Sequence, residues 1–260
     1  MKFALGIEYD GSKFAGWQMQ KHGTRTVQEC VEIALSSVAN QPVQVVCAGR
    51  TDTGVHAVGQ VVHFECDSPR QEKAWVMGVN TQLPDDVSSI WAQPVAEDFS
   101  ARFSATARQY RYIILNRQAR PAVLNKKVTW KHGGFNVEAM HQAAQALLGE
   151  QDFTSFRSSA CQAEHAMRNV HWVNVSREGD YIYIDIKANA FLHHMVRNIV
   201  GSLIMVGQEV KAVSWMADLM RCKDRNQAGP TAPADGLYLV NVSYPQESGI
   251  ISTINLPRYA

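Results

Sequence analysis

The chain has 260 residues, 46% of them hydrophobic, which is enough for a full core in one large domain or two smaller ones. Its 25 basic and 24 acidic side chains leave a formal charge of +1, so bulk charge announces no polyanionic partner. The five cysteines (Cys30, Cys47, Cys66, Cys161 and Cys222) contain no CxxC pair, which speaks against a zinc framework or a dithiol redox motif and fits free thiols in a reducing compartment.

In chain order, Phe3 to Tyr9 alternates as a strand and ends at Asp10-Gly11. Glu8 and Asp10 also interrupt an apolar run too short for a secretory leader. No stretch is long and apolar enough to span a bilayer, so a soluble cytoplasmic protein is expected. Thr26 is a candidate N-cap for a helix carrying Val27, Cys30, Val31, Ala34, Leu35 and Val38 at helical spacing. Val43 to Cys47 reads as a short buried strand, and Gly49 and Gly54 bracket a loop before a strand over Gln60 to Glu65. Ser68-Pro69-Arg70-Gln71 has the pattern of a capping box, opening a helix through Trp75 and Val79.

Val87 to Val95 and Tyr110 to Leu115 read as strands, and Asn136 to Leu148 as a helix ended by Gly149. Val170 to Ser176 and Tyr181 to Ile186 are alternating runs joined by Arg177-Glu178-Gly179-Asp180, a hairpin signal. Leu192 to Val206 and Val213 to Cys222 come next as helices, and Leu237 to Tyr244 as a last strand. The predicted class is α+β, with two similar halves sharing a mainly antiparallel sheet and helices packed on it. Residues 1–116 form the expected N-terminal half, 117–245 the C-terminal half and 246–260 a tail. The weakly periodic segment 117–131 is the expected boundary.

Charge is uneven along the chain. No acidic residue occurs between Asp98 and Glu138, while Arg102, Arg108, Arg111, Arg117, Arg120, Lys126, Lys127 and Lys131 fall there. Phe99, Phe103, Tyr110, Tyr112 and Trp130 are interleaved with them. Such a mixture suits a phosphate backbone with unstacked bases, and it equally suits a solvated strand face.

The loop Gly49-Arg50-Thr51-Asp52-Thr53-Gly54-Val55-His56 carries the sharpest chemical signal. On an extended backbone Arg50 and Asp52 would share one side, and the guanidinium would keep the carboxylate ionised. An ionised, positioned carboxylate can act as nucleophile or base. By itself the pair fits an ion pair that pins a turn better than it fits a nucleophile. His56 and His63 lack partners at metal-ligand spacing. His193 and His194 are expected on a helix, where adjacent side chains diverge. No metal is expected.

Taken together, GRTDTGVH, LGIEYDGSKFAGWQMQ, FSARFSATARQYRYIILN, DFTSFRS, IDIKANAFLHHMVRNIVGSL and ADGLYLVNVSYP resemble, in order and spacing, the tRNA pseudouridine synthase A family. The resemblance runs over nearly the whole chain up to Tyr244. It implies that Asp52 is the covalent nucleophile, that Tyr110 stacks on the target uracil, and that Arg50 helps extrude the base. Arg197 matches the basic residue that pairs with the aspartate. It further implies a homodimer that acts without cofactor or metal on uridines 38 to 40 of the tRNA anticodon arm. Thr53 departs from the family's usual alanine, and Arg168 sits in a segment that matches poorly. Attack by Asp52 on the uracil ring or on the sugar's anomeric carbon are both open.

Overall fold

A computed structural model describes residues 1–20, 23–67, 70–250 and 256–259. In chain order the elements are β1 (Lys2–Tyr9), α1 (Val27–Ala39), β2 (Val46–Cys47), β3 (His56–Glu65), α2 (Glu72–Asn80), β4 (Val87–Pro94), β5 (Ala107–Asn116) and β6 (Thr129–Lys131). They continue with α3 (Val137–Ala144), β7 (Gly149–Asp152), β8 (Met167–Glu178), β9 (Tyr181–Ala188), α4 (Met195–Gly207), α5 (Trp215–Cys222) and β10 (Leu237–Ser243). Among the described residues no helix is long and apolar enough to cross a membrane.

The fold is α+β, and the chain divides into two compact units. The first comprises Met1–Ala107 and Tyr238–Pro257, the second Arg108–Leu237 and Arg258–Ala260. The expected boundary at 117–131 therefore falls inside the second unit. Two pairings explain the division. β5 is hydrogen-bonded from Arg108 to Leu115 against β9, which ties the tyrosine strand to the β8–β9 pair. Near the other end, Tyr238 and Leu239 of β10 pair in parallel with His56 and Ala57 of β3.

In the first unit β1 lies between β3 and β4, antiparallel to both. Thr26 caps α1 as its spacing predicted, its hydroxyl accepting from the Glu29 N–H at 3.4 Å. Val27, Val31, Ala34 and Leu35 are buried, and Asn40 ends the helix in the left-handed region at φ 54°. α2 buries Trp75 against Phe3 and Phe64, with ring centroids 5.5 and 5.0 Å away. Burial of each such side chain stabilises by about 1.5–3 kcal/mol. Ser68 and Pro69 of the expected capping box lie outside the described residues; Gln71 occupies the N-cap position and makes no side-chain cap bond.

In the second unit β8 pairs with both β9 and β7, and β9 with β5, all antiparallel. The β8–β9 hairpin turns at Gly179-Asp180, with Gly179 at φ 54°. β6 adds in parallel to β5, within the segment that showed little periodicity. Asn136 caps α3 by accepting from the Ala139 N–H at 2.9 Å. The helix gives way to a single 3-10 turn over Gln145–Leu147 before Gly149, at φ 87°, starts β7. α4 begins three residues later than expected, because His194 sits in the left-handed region at φ 61°. His193 and His194 thus precede the helix, and their rings stack at 3.9 Å. The expectation that helical geometry drives them apart is corrected.

Candidate active site

In the first unit the loop 48–55 lies against the segment after β1. The Trp17 N–H donates to the Thr51 carbonyl at 3.0 Å, and the Gly54 N–H to the Phe14 carbonyl at 3.4 Å. The Tyr9 hydroxyl and Thr51 Oγ1 are 2.8 Å apart in the interior. This approach depends on glycine. A Cβ on Gly11 would lie 1.9 Å from the Val55 carbonyl oxygen. Gly16, at φ 97°, has the Thr51 carbonyl oxygen 2.8 Å from the position of its missing Cβ.

Gln60, buried in β3, holds the start of the loop, donating from Nε2 to the Gly49 carbonyl at 2.6 Å. His56 holds its end. His56 Nδ1 lies 3.0 Å from the Gly11 amide nitrogen and 3.2 Å from Asp10 Oδ1. One nitrogen serves one of them at a time: it accepts from the amide when the ring is neutral and donates to the carboxylate when protonated. The ring stacks on Tyr238 at 4.6 Å. The chain turns at Asp52, whose carbonyl accepts from the Val55 N–H at 3.1 Å. Asp52 itself is half-buried, between buried Thr51 and exposed Thr53.

Arg50 is exposed and forms no ion pair among the described residues. The expected Arg50–Asp52 pair is therefore corrected: the turn at Asp52 breaks the extended alternation that would have aligned them. Arg50 is felt instead by Cys47. Burial pushes that thiol up to about 11, and Arg50 draws it back only in part.

In the second unit, Tyr110 lies on β5 opposite Ile186, 8% exposed, with the Phe191 ring edge-on at 5.1 Å. Its neighbour Arg111 points to the other face. There it meets Asp185 through two bonds, Nε to Oδ1 and Nη2 to Oδ2, each 2.8 Å and buried. Arg111 belongs to the run of cations expected to suit phosphate, and this pairing removes it from them. Tyr112 donates to the Pro233 carbonyl at 2.8 Å and accepts from Thr129 Oγ1 at 2.5 Å; burial raises its phenol well above the usual range.

Arg197, half-buried on α4, donates from Nε to the Ala232 carbonyl at 2.8 Å, and its own carbonyl accepts from the Ala232 N–H at 3.1 Å. The helix comes this close to residues 229–232 because Gly201 has no Cβ; one there would meet the Pro230 carbonyl oxygen at 1.7 Å. Asn198 locks the same segment, accepting from Thr231 Oγ1 at 2.7 Å and donating to the Phe156 carbonyl at 2.8 Å. Gly11, Gly16, Gln60, His56 and Asn198 were not singled out as supports by sequence reasoning. The signal available was glycine spacing in DGSKFAG and the lone polar residues within apolar runs.

The model of a protein family described as tRNA pseudouridine synthase matches residues 6–104 and 143–245. A protein of Shewanella amazonensis named tRNA pseudouridine synthase A is 60% identical over 250 residues, covering 96% of this chain and 95% of its own. Proteins of the same name from Hydrogenovibrio crunogenus and Shigella boydii are 57% and 60% identical, over 98% and 94% of this chain and 95% and 90% of theirs. This chain therefore belongs to the tRNA pseudouridine synthase family of isomerases.

Proposed function

We propose that this chain isomerises uridine to pseudouridine at positions 38, 39 and 40 of the tRNA anticodon stem-loop, as a homodimer, with Asp52 as its nucleophile. The observation that carries the reading is the held turn at Asp52. Two glycines let the backbone of residues 11–17 press on the loop, so a half-exposed carboxylate is offered from a fixed main chain. A nucleophile needs that combination of access and position.

The reaction detaches uracil from its sugar, turns it and rejoins it through carbon. It neither gains nor loses atoms. The base must first leave its stack, at a cost of a few kcal/mol. Stacking on Tyr110 offsets about 1–3 kcal/mol of that. Arg50, exposed and without an ion pair among the described residues, suits the role of displacing the base. Arg197 stands at the position of the family's basic residue that pairs with the aspartate.

The test is direct. Pure protein is incubated with unmodified tRNA, and pseudouridine is mapped by sequencing. Conversion confined to uridines 38–40 supports the reading. Conversion elsewhere, or release of free uracil, defeats it.

A further inference from the structure

Arg111 and Arg168 carry the same planar fork and use it differently. Arg111 offers its Nε/Nη2 edge to both oxygens of Asp185. Arg168, on β8, donates only from Nη1, to the carbonyls of His165 and Met167. Its Nε is closed off from water and has no hydrogen-bond partner. Its Nη2 makes no bond among the described residues. An unsatisfied buried donor is costly, more so on a charged group.

A second guanidinium is close by. Burial lowers the Arg168 pKa, the Cys161 thiol opposes that, and the charge of Arg157 adds to the lowering. Arg157 donates only from Nη2, to the carbonyls of Cys161 and Ala163. Neither arginine has a carboxylate partner among the described residues, and Glu164, the acid between them in sequence, is exposed and forms no ion pair there. Cys161 reports the same positive field. Burial would raise its thiol, but the N–H groups of Ala163 and His193, with Arg157, bring it below the ordinary value.

We propose that Arg157 and Arg168 form a phosphate site that takes one phosphodiester of the RNA substrate, with the Nε/Nη2 edge of Arg168 as its bidentate fork. The site rests on the RNA-modifying function proposed above. Two non-bridging oxygens match a guanidinium edge as the Asp185 carboxylate matches Arg111. A negative charge also relieves the repulsion between two cations brought together without an acid. Binding at that edge requires whatever covers the Arg168 Nε to move aside; the neighbouring segment 159–165 is largely exposed.

The experiment measures tRNA binding by the full chain against salt concentration. Arg168→Gln should weaken binding about tenfold near 0.1 M salt and flatten the slope of log K against log salt by about 0.7–0.9, the share of one phosphate. Arg168→Lys should keep the slope and still bind less tightly, because it keeps the charge and loses the fork. Arg157→Gln should flatten the slope as well. An unchanged slope in both Gln variants overturns the site. In the wild type, saturating tRNA should slow alkylation of Cys161, monitored by peptide mass spectrometry; this readout serves if a variant does not fold, and absence of protection overturns the site. Protection by inorganic phosphate at constant ionic strength, with no protection by tRNA, would mark a small-anion site and overturn the RNA assignment. Pseudouridine formation is measured in the same samples. An unchanged slope with normal product defeats the site alone, whereas a wild type without product defeats the proposed function.

Discussion

The Asp52 loop and strand β5 are held in place by different means. β5 has its backbone ladder to β9 and in addition its side chains: Ile113, Ile114 and Leu115 are buried, Tyr112 is bonded at its hydroxyl, and Arg111 is locked to Asp185. The loop, outside any ladder, is fixed through main-chain bonds that two glycines make room for, with Gln60, His56 and Tyr9 bonding it from neighbouring segments. If Asp52 is the nucleophile proposed above, its side chain must reach substrate, and Gly11, Gly16, Gln60 and His56 help to hold its loop. On the strand, alternation lets Arg111 anchor one face while Tyr110 is kept on the other.

Breaking the strand's anchor should have the largest effect on stability. Arg111→Gln leaves Asp185 buried without its partner and should cost about 3–5 kcal/mol in chemical denaturation. The double variant Arg111→Met with Asp185→Leu should recover most of that loss. Failure to recover would mean that the pair does more than satisfy itself.

Breaking the loop's anchor should separate activity from stability. Gly16→Ala must hold a Cβ at φ 97° beside the Thr51 carbonyl, which costs about 1–3 kcal/mol. Pseudouridine formation should nevertheless fall at least about tenfold, since about 1.4 kcal/mol of lost positioning gives that factor. Equal activity in Gly16→Ala would show that the held backbone is not what matters.

Variants of Tyr110 test whether its face of the strand meets the base as proposed. Tyr110→Phe should bind tRNA like the wild type, while Tyr110→Ala should lose about 1–3 kcal/mol of binding. Equal affinity in all three proteins would remove the stacking role.

The smallest effect concerns His63 on β3, whose Nδ1 accepts from the Ala101 N–H at 2.9 Å. Burial lowers its pKa below the ordinary 6.5, and Lys2 adds to this. The folded chain thus binds this proton less readily than the unfolded chain. The stability His63 contributes is complete above pH 6.5 and is lost as pH falls through that value toward the lower folded pKa. Between about pH 7.5 and 5.5 the Tm of His63→Asn should fall less than that of the wild type. Identical falls would contradict the assignment.

Much of the fold was legible where periodicity or capping is local. Thr26, Asn136 and the hairpin at Gly179-Asp180 all act as their patterns indicated. β6 and β7, of three and four residues, are too short to show a period and exist because a neighbouring strand offers them bonds. Arg111 was not separable from its neighbours, because a run of cations looks alike in sequence whether a residue faces water or a carboxylate across a strand. Its partner was visible as the lone acid in YIYIDIKA, but the register joining them was not. The aspartate loop was legible as a motif, whereas its anchoring by Gly11, Gly16, Gln60 and His56 left only the glycine spacing in DGSKFAG and lone polar residues as signals, which do not say what those residues approach.

Asp52 carries the central claim, and single-turnover pseudouridine formation on unmodified tRNA tests it most directly. Asp52→Asn keeps the shape of the side chain and removes the nucleophilic carboxylate. The account predicts unchanged tRNA binding and a rate at least about a thousandfold below the wild type, as for loss of other catalytic nucleophiles. Substantial pseudouridine formation by Asp52→Asn would contradict it.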